Sequence, residues 1–264
     1  MALTRIVQLT DLHLFADPGG RLYGIPTHER LRDGVAHVEQ NAGRGDHLVV
    51  TGDHTHDDLP ETYAAIREIL QPWADRTWFV PGNHEDRETL RSAFPDRIAG
   101  AGTESITFSF TPGGSLCLGL DTHVPGQVSG HIGADQIAWV GAEIEAHDPV
   151  SVVLFMHHPP ILLGRPWLDR IGLAGREGLQ DLLLRDERIR LVCCGHVHHE
   201  SSHSVGAARV VTTPSTGLQF SPGSDEALFV QAAPGYRIVE LDGTSCVTRV
   251  VRLPEARYAP SPAD

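Results

Sequence analysis

The chain has 264 residues, 41% of them hydrophobic and 21% charged, which suits a globular protein of one large domain or two small ones. Its net charge is −13 and every basic residue is Arg, so no basic stripe can neutralise a nucleic-acid backbone; long nucleic acid is excluded as a partner, whereas a small anionic substrate is not. No apolar run reaches membrane-spanning length, no basic-plus-apolar leader opens the chain, and the four Cys show no Cys-x-x-Cys spacing, so a cytoplasmic, reduced protein without a membrane partner is expected.

The first predicted strand is Arg5 to Leu9. Thr27 is expected to cap a helix whose apolar face is Leu31, Val35 and Val38. A second strand covers Leu48 to Thr51, and Pro60 opens a helix carrying Ile66, Ile69 and Leu70. After a strand at Trp78 to Val80, the segments Ile106 to Phe110 and Ser115 to Leu120 flank Pro112-Gly113-Gly114, a hairpin signal. Asp135 opens a helix with Ile137, Val140 and Ile144 on one side. The strand Val152 to Met156 follows, then a short helix marked by Leu179, Leu182 and Leu183, then the strand Leu191 to Cys194, where the two Cys read as small buried hydrophobes. Later strands are expected over Arg209 to Thr213, Ala227 to Gln231, Gly235 to Leu241 and Cys246 to Leu253. Residues 254–264, rich in Pro and Ala, are read as a loose tail behind a single domain of residues 1–253. Strands alternating with helices indicate an α/β fold.

Five of these strands run into short polar clusters: Asp11-Leu12-His13, Gly52-Asp53, Gly82-Asn83-His84, His157-His158, and Gly195-His196-Val197-His198. Repeated placement of such residues at strand ends is not what core packing produces, and in open α/β sheets ligands gather at the carboxyl ends of strands. Hydrolysis of a phosphodiester at neutral pH needs a strong nucleophile and a sink for negative charge, which two cations roughly 3.5–4 Å apart can supply. A carboxylate is suited to bridge two ions. The mixed nitrogen and oxygen donors suit iron, manganese or zinc (cobalt also fits) rather than calcium or magnesium. In extended chain, residues i and i+2 share a side, so Asp11 with His13, and His196 with His198, are each expected to face one ion together. Gly52, Gly82 and Gly195 permit the turn out of each strand. One site drawing on residues 11 to 198 argues for a single domain.

At these residues the chain resembles the calcineurin-like metallophosphoesterases: a D-x-H, a G-D, a G-N-H followed by an acidic residue (Glu85), a later His and a G-H-x-H, in that order. The resemblance is closest to the class III cyclic nucleotide phosphodiesterases. Thr10 to Phe15, Pro166 to Asp169, Thr213 to Thr216 with Gln219-Phe220, and Pro234 to Arg237 carry it to near the C-terminus. It implies two packed mixed β-sheets flanked by helices, and hydrolysis of a small phosphodiester such as 3′,5′-cyclic AMP by a metal-bridging hydroxide. A glycerophosphodiester or another small diester is the alternative. It also implies that Asp11, His13 and His198 hold one metal, that Asn83, His157 and His196 hold the other, and that Asp53 bridges them. His84 would then act on the phosphate, with Asn83 and His198 also facing the substrate. The chain departs from the family in two places. His54 stands where a small or aliphatic residue is usual, and Gly172 to Arg176 lacks an Asn that close relatives carry near the substrate.

With 16 His residues, several must be ordinary. His28, His37, His47, His147 and His203 read as ordinary, and His158 and His199 as supporting groups. His54 and His56 read either as substrate-pocket residues or as a solvated loop, and His123 as pocket lining or plain loop polarity. Asp57 and Asp58 read as helix-start charges. The segment Arg165 to Arg176 is a surface lid, a subunit contact of a homo-oligomer, or a substrate loop in which Trp167 stacks on a base.

Overall fold

The computed structural model describes residues 3–41, 46–243 and 245–261. Two mixed sheets carry the fold. The first has five strands, in the order Ser245–Arg252, Gly235–Asp242, Thr4–Leu9, His47–Thr51, Thr77–Val80; the last three are parallel and the first two form an antiparallel hairpin. The second has six strands, in the order Ser201–Val205, Ala208–Thr212, Ile189–Cys194, Ser151–Met156, Ser115–Leu120, Phe108–Phe110, with the central four parallel.

The alternation of side chains along each strand builds three apolar layers. Ile6 and Val49 of one sheet meet Val153, Phe155, Leu191 and Cys193 of the other in a central layer. Val7, Leu48 and Val50 point outward, under the helices Thr27–Asn41, Pro60–Ile69 and Arg87–Ala93. Val152, Leu154, Met156, Val192 and Cys194 point outward on the far side, under Ala134–His147 and Arg176–Arg185. Both faces of both sheets are therefore covered, which is why these strands read as unbroken apolar runs. A buried polar network also joins the sheets. The amide of Gln8 donates to Thr51 Oγ1 (2.8 Å), Thr213 Oγ1 donates to Gln8 Oε1 (2.6 Å), and Arg237 Nε donates to Thr213 Oγ1 (3.0 Å).

The expected strands and helices are present, with shifted ends. Thr27 begins its helix, but its buried hydroxyl has no hydrogen-bond partner, so it does not cap. The expected strand over Ala227 to Gln231 shrinks to Phe229–Val230. Residues 254–261 are not loose: Arg257 pairs with Glu29 and Asp33, the Tyr258 hydroxyl donates to Glu29 (2.7 Å), and Ser261 N donates to Tyr23 O (3.0 Å). Among the described residues, no helix is long and apolar enough to cross a membrane. All four Cys are free, and Cys117, Cys193 and Cys194 are buried.

Candidate metal centre

The parallel strands of both sheets end on the same side of the molecule. Leu9, Thr51 and Val80 of one sheet and Met156 and Cys194 of the other lead directly into the five polar clusters. The first two clusters lie against each other: Asp11 N donates to Gly52 O (3.1 Å), and His13 N donates to Asp53 O (2.9 Å). The last cluster docks on the first through His196 N, which donates to Asp11 Oδ1 (3.0 Å).

Asp11, His13, Asp53, His196 and His198 all have positive φ, between 46° and 69°; they are five of the eight non-glycine residues of that kind among the described residues. Such backbone is costly for a side chain other than Gly and persists where surrounding structure enforces it, as at functional sites. It also explains a correction. His196 and His198 lie beyond the end of their strand in left-handed backbone, so they do not face one ion together: His198 groups with Asp11, His13 and Asp53, whereas His196 groups with His157 and His158. Asp11 and His13 do share a group, but through a left-handed turn and not through extended chain. The glycines permit close approach. A Cβ on Gly52 would stand 2.5 Å from His157 Nδ1, and one on Gly82 would collide with the Asp53 carboxylate and amide.

The ligand atoms of Asp11, His13, Asp53 and His198 all lie within 4.8 Å of one another. Asp53 stands between the two groups: its Oδ2 is 3.6 Å from His13 Nε2 and 3.4 Å from His157 Nε2, while its Oδ1 accepts from Asn83 N (2.9 Å) and His84 N (3.1 Å). The Asn83 side-chain oxygen is 3.3 Å from His157 Nε2. Backbone carbonyls orient three imidazoles. His157 Nδ1 donates to Thr51 O (2.8 Å), His196 Nε2 to Ile171 O (3.0 Å), and His198 Nδ1 to Leu218 O (2.9 Å). In a neutral ring each bond leaves the opposite nitrogen as a lone pair, an arrangement typical of ligating His. Asp11 Oδ2 is buried without a hydrogen-bond partner, which is costly unless a further group such as a cation meets it, and His13 turns its Nε2 into the same cluster, 3.2 Å from His198 Nε2. His158 lies in the second group, but its two nitrogens are engaged by Thr122 Oγ1 (2.8 Å) and Val128 O (3.0 Å), so it supports the site and does not ligate.

Burial is the largest influence on these groups. It pushes His13 well below its usual value, His196 to about 3 and His198 to about 4, so all three are neutral and able to ligate. Burial also raises Asp11 to about 7; His157 opposes this, and the charge of Asp53 adds to it. For Asp53, burial is outweighed by His157, His84 and His13, which hold it well below the carboxylate range. His157 is raised to about 9 by Asp53 against the pull of burial. His157 would hold a cation only as the neutral imidazole, so metal binding there would release that proton.

Above the cluster lies a cleft of about 290 Å³, lined by His13, His56, Asn83, His84, His196 and His198 on one side. His84 stands edge-on to His13 (ring centroids 4.8 Å apart, 88°) and stacked on His56 (4.9 Å, 30°). The two tentative pocket residues lie elsewhere. His54 is wholly buried against Phe79 and Glu85, because its own strand-exit loop turns inward there, and it does not line the cleft; His56 does. Trp167 packs behind the cleft, its ring edge-on to Phe220 (5.0 Å, 76°) and its Nε1 donating to Ser224 O (3.2 Å), so it is no stacking partner for a ligand. His123 turns inward, its Nδ1 bonding to Gly82 O (2.9 Å).

Sequence reasoning passed over the role of Glu85. Its buried carboxylate accepts from the backbone amides of Gly82 (2.6 Å), Asp53 (2.9 Å), His54 (2.7 Å) and Thr55 (3.3 Å), tying two ligand-bearing loops together. Burial opposes its ionisation, but His54 and these donors hold it below the usual range. A Glu following G-N-H is visible in the sequence; that it faces inward is not.

The calcineurin-like phosphoesterase family profile matches residues 4–200. The chain belongs to that family. Members of this phosphoesterase family use a two-metal site, and the donor set above fits one. The chain is 33% identical over 236 residues to a 3′,5′-cyclic adenosine monophosphate phosphodiesterase of Pseudomonas aeruginosa, covering 89% of this chain and 85% of the relative. It is 30% identical to the enzyme of that name from Escherichia coli K12, over 99% of this chain and 94% of the relative. A probable glycerophosphodiester phosphodiesterase of Arcobacter nitrofigilis is 26% identical over 81% of this chain and 79% of the relative. Among solved structures, a dimetal phosphatase from Danio rerio shares the fold, with a TM-score of 0.66 at 17% identity over 94% of this chain and 98% of that one. As a member of this family, the chain is a metal-dependent phosphodiesterase.

Proposed function

We propose that the chain hydrolyses 3′,5′-cyclic AMP to 5′-AMP, as a cytoplasmic enzyme acting on a small-molecule diester. The observation that carries this reading is the similarity to cyclic AMP phosphodiesterases over nearly the whole chain; the clustering of the Asp and His candidates, with Asn83 beside His157, supports it. In the assigned roles, Asp11, His13 and His198 hold one cation, Asn83, His157 and His196 the other, and Asp53 bridges. Two bound cations would lower the pKa of a water and neutralise the phosphoryl oxygens.

The protein's own groups do the rest. Carbonyls of Thr51, Ile171 and Leu218 fix the imidazole orientations, so the ligands need no rearrangement. His84, on the cleft wall beside His13, is placed to donate to a phosphoryl oxygen or to the departing 3′ oxygen as charge develops there. Its backbone amide is held by the same Asp53 oxygen that holds Asn83, which couples its position to the centre.

Product analysis on manganese-loaded protein tests the reading, comparing cyclic AMP with glycerophosphocholine and bis(p-nitrophenyl) phosphate at matched concentration. Appearance of 5′-AMP at a rate rivalling the generic diester supports it. Turnover of generic diesters alone refutes it and favours the glycerophosphodiester reading, which the Arcobacter relative motivates.

A further inference from the structure

Beside the imidazoles, the cleft is also lined by three aromatic rings that no ligand role has claimed. Phe220 lies 4.5 Å from the His198 ring, Phe229 lies 5.4 Å from Phe220 at an interplanar angle of 25°, and Tyr23 lies 4.2 Å from Phe229. The wall therefore runs without a break from a metal-site residue outward. We propose that Phe220, Phe229 and Tyr23 form a stacking platform for the nucleobase of a bound nucleotide; this rests on the cyclic-nucleotide reading above.

The geometry of the wall is built and not incidental. Phe220 and Phe229 are directly paired on the antiparallel ribbon Gln219–Phe220 and Phe229–Val230, so their side chains share one face. Trp167 backs Phe220 from behind and, through Ser224 O, ties down the loop joining the two strands. Tyr23 is 36% exposed and sits at φ 47°, a conformation unfavourable for an aromatic residue, in the turn between Arg21–Leu22 and Ile25–Pro26. With Gly24 (φ 81°) it makes the two-residue turn of that hairpin, which calls for positive φ at both positions, and Ser261 N donates to its carbonyl, so the exposed ring is held at the edge of the cleft.

The chemistry of the wall selects the ligand class. Apart from the imidazoles, Asp53 is the one charged side chain lining the cleft, and the remaining lining around the rings is aliphatic. A neutral flat group fits there, and a second phosphate does not. A quaternary ammonium is best held by rings on several sides; here Phe220, Phe229 and Tyr23 pack successively on one another along one wall of the cleft, which leaves a flat base able to extend that stack. With the phosphate at the imidazole cluster, the base of a nucleotide is one sugar away and meets that surface. Loss of base stacking weakens binding by roughly 5- to 150-fold.

The test is isothermal titration of 5′-AMP and of ribose 5-phosphate into manganese-loaded wild type, Phe229→Leu and Tyr23→Leu, with cyclic AMP turnover measured in parallel. Both positions are outside the fully buried core, and unchanged circular dichroism checks that the variants fold. The wild type should bind 5′-AMP at least about tenfold more tightly than ribose 5-phosphate. Each variant should narrow that gap about fivefold or more, leaving ribose 5-phosphate affinity unchanged. No gap in the wild type, or a gap that survives both substitutions, overturns the platform. A wild type that turns over cyclic AMP while both variants keep the gap sinks the platform alone. A wild type inert toward cyclic AMP whose 5′-AMP gap narrows in the variants sinks the substrate reading alone and leaves the platform serving another nucleotide.

Discussion

Glu85→Gln exchanges one carboxylate oxygen for an amide nitrogen without changing size. Oε1 accepts from His54 N and Thr55 N, and Oε2 from Asp53 N and Gly82 N. The amide oxygen of Gln can serve one pair; its NH₂ then confronts two buried N–H donors. Each unsatisfied buried donor costs about 1–3 kcal/mol, so the variant should lose about 2–6 kcal/mol of stability. That is a large part of a typical total of about 5–15 kcal/mol. At about 2–4 °C per kcal/mol for a domain of this size, the melting point should fall by about 4 °C or more. Because the freed amides belong to the loops carrying Asp53 and Asn83, activity should fall as well, by on the order of a hundredfold for a displacement of about 1 Å. Urea titration of chelator-treated protein reads stability, and metal analysis with diester turnover reads the site. The exposed Glu88→Gln in the same segment should change neither. A Glu85→Gln protein with wild-type midpoint and turnover would refute the inference that this carboxylate holds the two loops.

Asp53→Ala should abolish both metal retention and turnover, measured by elemental analysis beside a diester assay, since both groups of ligands adjoin its Oδ2. His84→Ala should retain both metals and lose about 10²–10³ in kcat; equal metal loss would overturn its assigned role. Gly82→Ala should destabilise the protein and strip the metals, because its Cβ has no room beside Asp53; normal metal content would show that the loop yields. Away from the site, Arg188 grips Asp186 through Nε and Nη2 (2.9 and 2.8 Å) and lowers its pKa. A carboxylate with a lowered folded-state pKa stabilises the fold above its unfolded pKa, and that stability is lost as pH falls through the folded value. Arg188→Gln should therefore be less stable than wild type near neutrality, with the difference vanishing in acid; a difference independent of pH would refute the pairing.

The candidate ligands are legible because each is local to a strand end: apolar run, glycine or turn, then donor. Strand periodicity cannot divide them between the two candidate groups, because it stops at Cys194 while His196 and His198 lie in left-handed backbone. Side-chain direction within loops was equally hidden: His54 and His56 are two residues apart, yet only His56 reaches the cleft. Phe220, Phe229 and Tyr23 belong to or adjoin strands of two residues, too short for any period to register. The anchoring of residues 254–261 is not legible in the sequence because the partners of Arg257, Glu29 and Asp33, are more than 220 residues away; residues 262–264 lie outside the described residues.

The centre is shared between the sheets: Asp11, Asp53 and Asn83 follow strands of one, and His157, His196 and His198 follow strands of the other. Any cation bound there acts as a rivet across the sheet interface, favouring the closed sandwich over one whose sheets have parted. At a thousandfold excess over its dissociation constant, one such ion adds about 4 kcal/mol. Metal supply would then govern not only whether the protein is active but how long it survives a protease, because a chain short of metal parts its sheets more often and exposes the strands that the rivet keeps covered.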